Sequence, residues 1–262
     1  MYSKEDLLKA IKNIGIKSTD TLLIHSSMKA IGKVENGGDT VIDAFMEYMN
    51  DGLLIFPTHT WDQINDTYNI FYPETEPSCV GILSNLFLKR PNVIRSLHPT
   101  HSVAAYGADA YQYVKGEENC ETPCAREGCW GKLYDRGAKI LFLGCSLKSN
   151  TYLHGVEEWC HIPNRLTDTY KQLKIATPDG RIIDRPSYRH NFPSDKGNIS
   201  HNYDKMLEPY LYMGIANKGF IGDAESVLCD AIGMADFTTS LLKRKQDLFD
   251  DKKPVPTEWY IK

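Results

Sequence analysis

An α/β fold, with a central sheet flanked by helices and a small antiparallel β layer inserted at about 164–205, is predicted by three features of this 262-residue sequence. Short apolar runs of Leu, Ile and Phe alternate with helical stripes through the first half of the chain, which is the grammar of strand, helix, strand. One such run, Lys139-Ile140-Leu141-Phe142-Leu143-Gly144-Cys145, is apolar on both faces and closed by turn residues, as expected of a strand covered on both sides. In the second half, Thr177-Pro178-Asp179-Gly180 is a turn signature between two extended segments. No repeat or linker divides the sequence, so residues 1–262 read as one domain, with a subdomain seam near Pro163.

The elements follow in order. Leu7, Leu8, Ile11 and Ile14 recur at helical spacing behind Ser3, a suitable N-cap, which predicts a helix over 3–14. A strand over 21–25 follows, then a helix over 39–49 capped by Asp39, and then Asp51-Gly52 turns into a strand over 53–56 that Pro57 ends. The pattern continues with a helix over 80–89, short extended pieces at 93–94 and 102–105, a helix over 108–114 and one helical turn at 130–134. After the run at 139–145, a helix carries His154 and Glu157. Segments 169–176 and 181–183 flank the turn and form a hairpin. The polar stretch 188–203 reads as a long loop of the kind compact domains keep for function. Gly219 to Gly222 then lead into a helix over 223–244.

Composition narrows the function. The net charge is -4 and the densest basic cluster, 243–245, falls in an apparent helix, so nucleic acid is not the expected partner. The N-terminus is charged and amphipathic rather than signal-like, and no apolar run reaches membrane-spanning length, so a cytoplasmic protein without membrane contact is expected, as a monomer or homodimer. Seven cysteines at irregular spacing suit reduced thiols better than a disulfide framework, with Cys145, Cys160 and Cys229 as packing residues.

Three segments carry chemistry. His154 and Glu157 stand at i and i+3 on one helical face, where a carboxylate can orient an imidazole or stabilise its cation. Strand 21–25 runs into His25-Ser26-Ser27-Met28-Lys29-Ala30-Ile31-Gly32, and hydroxyls with open backbone N–H groups at the carboxyl end of such a strand suit anions. The segment fits neither a P-loop nor a dinucleotide fingerprint. Arg95, Ser96, His98, His101 and Ser102 lie between apolar stretches in a mixture that suits a pocket wall. Cys120, Cys124 and Cys129 with His98 and His101 allow a competing metal-site reading, a metal-dependent hydrolase, although the Cys-x2-Cys knuckle of structural zinc sites is missing.

Leu23-Ile24-His25-Ser26-Ser27, Gly52 to Phe56 with Pro57-Thr58-His59-Thr60, Gly81-Ile82-Leu83, Arg95-Ser96 with His98-Pro99 and Ser102, and Gly144 and Thr151 with His154 and Glu157 occur in family order. Together they resemble the aminoglycoside 3-N-acetyltransferase family, the antibiotic N-acetyltransferases associated with antibiotic resistance. The resemblance runs from about Ile14 to Leu241. It implies a central mixed sheet flanked by helices, distinct from the GNAT fold, and transfer of acetyl from acetyl-CoA to an amine of an aminoglycoside or other amino sugar. It implies His154 and Glu157 as the catalytic pair. It implies CoA contacts from His25, Ser26, Ser27, Met28, Lys29, Ile31 and Gly32, with Arg95, Ser96, His98 and Ser102 along the pantetheine and phosphate path, and no metal. His59, Asp62, Thr151 and Glu158 are expected on the acceptor side, with Asp66, Asp184, Asp195 and Asp204 as further candidate carboxylates. His59 departs from the aromatic residue the family often has there, and a CoA-binding module without turnover is the third reading.

Overall fold

Seven strands form the main sheet in the order β4-β5-β2-β1-β6-β10-β9, built from β1 (Thr21–Ser26), β2 (Leu53–Pro57), β4 (Ile94–Arg95), β5 (Val103–Gly107), β6 (Lys139–Leu143), β9 (Ala216–Ile221) and β10 (Ala224–Asp230). The three central strands, β2, β1 and β6, run parallel, and the outer pairs are antiparallel, so the sheet is mixed. A computed structural model describes residues 1–107, 109–191 and 197–261.

Each central strand is apolar on both sides because both faces are covered, and alternate residues divide between two cores. Leu22, Ile24, Leu54, Phe56, Leu141 and Leu143 pack with helices α1 (Lys4–Asn13), α2 (Gly38–Tyr48) and α3 (Ile82–Leu88). Leu23, Ile55, Ile140 and Phe142 face α4 (Ala110–Val114), α5 (Cys129–Asp135), α6 (Thr151–Trp159), α7 (Leu207–Tyr212) and α8 (Ala231–Arg244). Ser3 caps α1 through a full capping box with Asp6, whereas α2 begins at Gly38 with Gly37 as its cap and Asp39 inside the first turn.

A second sheet joins β3 (Ile70–Phe71), β7 (Lys174–Ala176) and β8 (Ile182–Asp184). The hairpin expected around Thr177 to Gly180 is present as the antiparallel pair β7–β8, and β3, from well outside 164–205, adds to β7 in parallel. Ile64, Phe71, Leu173 and Ile175 are its own small core.

The C-terminal part requires a correction. Residues 224–230 are strand rather than the start of a helix, and they pair with both β6 and β9. Burial of Ser226 to Cys229 between its two neighbours overrides the local pattern, and Asp230, whose side chain accepts from the Gly233 N–H, caps α8 only after the strand ends. The stretch read as a loop over 188–203 is likewise not all loop, since Ile199–Met206 forms a long 3-10 helix.

Gly144 sits at the point where β6 hands the chain to the site. Its φ is +64°, and a Cβ there would stand 2.5 Å from the Ala30 Cβ and 3.0 Å from that of Ala224. Gly144→Ala is expected to cost about 2 kcal/mol from left-handed strain and the clash together. A denaturant titration showing an unchanged midpoint would contradict this account of the turn.

Candidate active site

Open α/β sheets bind ligands beyond the carboxyl ends of their parallel strands, where successive connections leave in opposite directions. Here that point lies around β1, with β2 on one side and β6 on the other. A cavity of about 520 Å³ opens there. His25 and Ser26 from the end of β1, Pro57 at the end of β2 and His59 just beyond it, the segment Lys148 to Thr151 after β6, and Gly81 and Ser84 at the start of α3 line it.

His154 lines the same cavity from α6. Its direct approach to Glu157 is 4.0 Å, too long for a hydrogen bond, and Tyr203 bridges the pair. The Tyr203 hydroxyl lies 2.8 Å from His154 Nδ1 and donates to Glu157 Oε2 at 2.5 Å. A hydroxyl that donates to a carboxylate accepts from its other neighbour, so Nδ1 carries the imidazole proton and Nε2 the lone pair. Glu157 is fully buried, and desolvation pushes its carboxyl upward. Arg165 opposes that shift, since its Nε lies 2.5 Å from Glu157 Oε1 while its other end reaches Asp250 at 2.7 Å. Burial, then the neighbouring His190 and the Arg165 charge, hold His154 well below the ordinary imidazole range, so it is neutral at pH 7.

The aromatic wall is a belt of histidines. His190 stacks on His154 with ring centres 4.4 Å apart, His101 meets His190 edge-on at 4.8 Å, and His59 follows at 4.7 Å. Trp130 lies over His59 at 5.6 Å, and His25 lies between Trp130 and Phe142. His59 Nε2 bonds the Thr151 hydroxyl at 3.1 Å, which brings two expected acceptor-side residues together.

The remaining expected residues divide by position. Ser27 turns its N–H back to the Leu143 carbonyl, Met28 to Ile31 form a 3-10 turn, Ile31 is buried in the second core, Lys29 is exposed, and Gly32 lies against Asp223, so none of these five faces the cavity. Arg95 is embedded behind the wall, giving hydrogen bonds to the carbonyls of Thr58, Pro73 and Glu76 and to Ser102 Oγ. Ser102 donates to the Thr58 carbonyl, and Ser96 accepts from the Val103 N–H. His98 donates from Nε2 to the Thr122 carbonyl and accepts the Thr100 and His101 N–H groups on Nδ1. These four residues brace the wall through bonds with the protein itself.

Glu158 points away from the cavity, bonded to His190 Nε2 at 2.8 Å and to the Cys124 N–H, and burial pushes its carboxyl up to about 8. Asp62 is exposed outside the cavity, Asp66 and Asp184 pair with Lys171 and Lys174, and Asp204 lies 3.4 Å from Lys148. Asp195 lies outside the described residues. The structure does not gather His98 and His101 with the three cysteines. Among the described residues, the His, Cys and carboxylate atoms close enough to share an ion belong to Cys124, Glu158 and His190, within 4.8 Å of one another.

Tyr203, Arg165 and His190 were not predicted from sequence as parts of this site. His190 and Tyr203 reach it over 32 and 46 residues, marked in the sequence only by the density of polar residues in 188–203, whereas Arg165 lies eight residues beyond Glu157, past the end of the helix.

Comparison with known proteins places this geometry. The family model described as aminoglycoside 3-N-acetyltransferase matches residues 23–243. The chain belongs to the aminoglycoside 3-N-acetyltransferase family. It is therefore an acyltransferase of that type. Aminoglycoside N(3)-acetyltransferase III of Salmonella sp is 26% identical over 267 residues, covering 93% of this chain and 92% of the relative. Aminoglycoside N(3)-acetyltransferase IX of Micromonospora chalcea is 24% identical over 262 residues, covering 90% and 91%. Among solved structures, AAC-IIIb in binary complex with CoASH superposes with a TM-score of 0.81 at 22% identity, covering 97% of this chain and 99% of that one. YokD of Bacillus subtilis gives 0.79 at 21%, covering 93% and 94%. The mixed sheet with its small β layer is thus the fold of this family, not the GNAT fold.

The histidine belt has a consequence for acid stability. Burial lowers His25 to about 3, His98 to about 4 and His190 to about 3, whereas in the unfolded chain each titrates near 6.5. Between those values the unfolded chain binds more protons, so stability falls as pH falls below about 6.5. Three imidazoles make the slope on the order of 4 kcal/mol per pH unit, against a total of roughly 5–15 kcal/mol. Urea melts at pH 7.5 and 5.5 should show a large loss of midpoint at the lower pH, and equal midpoints would refute the burial-driven shifts.

Proposed function

We propose that this protein transfers acetyl from acetyl-CoA directly to an amine of an aminoglycoside or other amino sugar, with His154 as general base. The observation that carries this reading is the tautomer lock: Tyr203 and Glu157 hold the Nδ1 proton, so the lone pair of His154 is on Nε2 in a residue that lines the cavity. An amine arrives near neutral pH mostly as ammonium and must lose a proton to attack a thioester, and a neutral imidazole accepts it. The amine nitrogen bonds to the acetyl carbon and the C–S bond then breaks; of the two protons that the ammonium nitrogen gives up, His154 passes one to the departing CoA thiolate and the other goes to solvent. The imidazolium formed in between is stabilised by Glu157 through Tyr203.

Among the expected CoA contacts, His25 and Ser26 stand at the cavity, and Ser27 to Gly32 act behind them by fixing the turn. Arg95, Ser96, His98 and Ser102 are positioning residues in this reading. Thr151, at the wall beside His59, is the side-chain donor placed to meet the developing oxyanion. The chain works as one acetyltransferase domain with the small sheet near 164–205 on the acceptor side. All seven cysteines are unpaired, which suits the cytoplasm, where acetyl-CoA is available.

His154→Ala is expected to lower kcat by ~100-fold or more with little change in the acetyl-CoA dissociation constant. Near wild-type turnover would sink the assignment. Tyr203→Phe keeps the ring but frees the tautomer, and is expected to cost about 10-fold or more in kcat; an unchanged rate would mean that Glu157 acts without it. Calorimetry with acetyl-CoA distinguishes the loop residues: Ser26→Ala should weaken binding and Ser27→Ala should not, and the reverse order would show that the turn is oriented otherwise in the complex.

A further inference from the structure

The cavity wall holds two cations and, among the described residues, no carboxylate. Arg189 is half-buried, with Nη1 donating to the Ile64 carbonyl at 2.9 Å and Nη2 to the Trp61 carbonyl at 2.7 Å. Two of a guanidinium's five N–H groups are thereby used, and no described carboxylate lies in ion-pair contact with it. Buried guanidinium groups are ordinarily paired, because desolvating an unpaired charge is costly. A fixed guanidinium with spare donors in a cavity wall is instead a receptor for a planar or tetrahedral oxyanion. Lys148, exposed at the rim of the same cavity, pairs at 3.4 Å with Asp204, which also accepts its backbone N–H, so it assists rather than matches Arg189.

The surroundings favour the same sign. His190, next in sequence to Arg189, stacks on His154, and all three residues line one cavity, so the guanidinium shares the space that the base faces. His98, His101 and His190 all feel the Arg189 charge and all stay neutral, and none of them compensates it. The carboxylates that could attract a polycation are directed elsewhere: Glu158 to His190, Glu157 to Tyr203 and Arg165, and Asp66 to Lys171, with Asp66 offsetting the Arg189 charge only in part and without ion-pair contact.

We propose that the acceptor carries an anionic oxygen group, a carboxylate or a phosphate, beside its amine, and that Arg189, assisted by Lys148, reads that group. This rests on the transferase reading and selects, within amino sugars and related amines, acidic acceptors over polycationic ones. Arg189 is on this account a specificity-determining residue. The same two cations could instead meet the phosphates of CoA, and the test separates these sources.

Calorimetry on the protein without cofactor, using glucosamine, glucosamine 6-phosphate and kanamycin, reads acceptor preference independently of turnover. Thiol release with acetyl-CoA then reads transfer to the same three amines. Glucosamine 6-phosphate is expected to bind at least ~10-fold more tightly than glucosamine and to be acetylated with the higher kcat/KM. Arg189→Gln should erase that preference and leave the acetyl-CoA dissociation constant unchanged, and Arg189→Lys should restore part of it, which a merely structural role at the Trp61 and Ile64 carbonyls would not predict. Tighter binding of kanamycin by the wild type overturns the proposal. So does an Arg189→Gln protein that keeps the preference while losing acetyl-CoA affinity, since the cation would then serve CoA. If anion preference is present but no thiol is released and acetyl-CoA does not bind, the transferase reading fails and the anion site stands.

Discussion

A carboxylate with no exposed surface is stable as an anion only if its neighbours replace water, and Glu157 is such a group. Arg165 supplies the opposite charge, Asp250 balances the far end of the guanidinium, and Tyr203 donates the remaining hydrogen bond. Removing Arg165 leaves the buried Glu157 charge unpaired, and removing the Tyr203 hydroxyl leaves one carboxylate oxygen short of a donor. The network therefore ties four parts of the chain together: α6, the segment just after it that carries Arg165, the 3-10 helix that carries Tyr203 and the C-terminal segment that carries Asp250. His154 is oriented as a by-product of satisfying Glu157. That coupling makes the geometry of the base part of the stability of the fold.

The sheet determines where this network can act. Three parallel strands end together, and the connections leaving β1, β2 and β6 open a crevice whose floor is the strand ends themselves. Polar residues are unavoidable there, because backbone groups beyond the last pairing have no ladder partner. The protein fills this zone with imidazoles, which bury as neutral rings yet still bond to neighbours through their ring nitrogens. His59 bonds Thr151, His98 bonds Thr122, and His190 bonds Glu158. The belt is consequently rigid and apolar near neutral pH and sensitive to acid.

The legible parts of the sequence were those whose physics is local. The strands at β1, β2 and β6 read as continuous apolar runs because both faces are covered, and Ser3 announces the first helix. The hairpin follows from Thr177 to Gly180. Residues 224–230 were illegible because their strand identity comes from β6 and β9, not from their own pattern. In the site, His154 and Glu157 share one helix and could be paired from spacing. Tyr203 stands 46 residues from Glu157, and no spacing rule marks a hydroxyl as the link.

Two arginines show why residue type alone does not assign a role. Arg95 and Arg189 both approach the cavity from polar segments, and both are held by backbone carbonyls. Arg95 gives four hydrogen bonds, including those from both terminal nitrogens and Nε, and its charge is used to tie the Thr58, Pro73 and Glu76 carbonyls to Ser102. It is a brace. Arg189 gives two, both from terminal nitrogens, and Nε and the remaining N–H groups have no described acceptor. The difference lies in donor accounting, which only the folded geometry supplies. A guanidinium that the fold has already satisfied holds the wall in place, and one that it has fixed without satisfying is set to bind what enters the cavity.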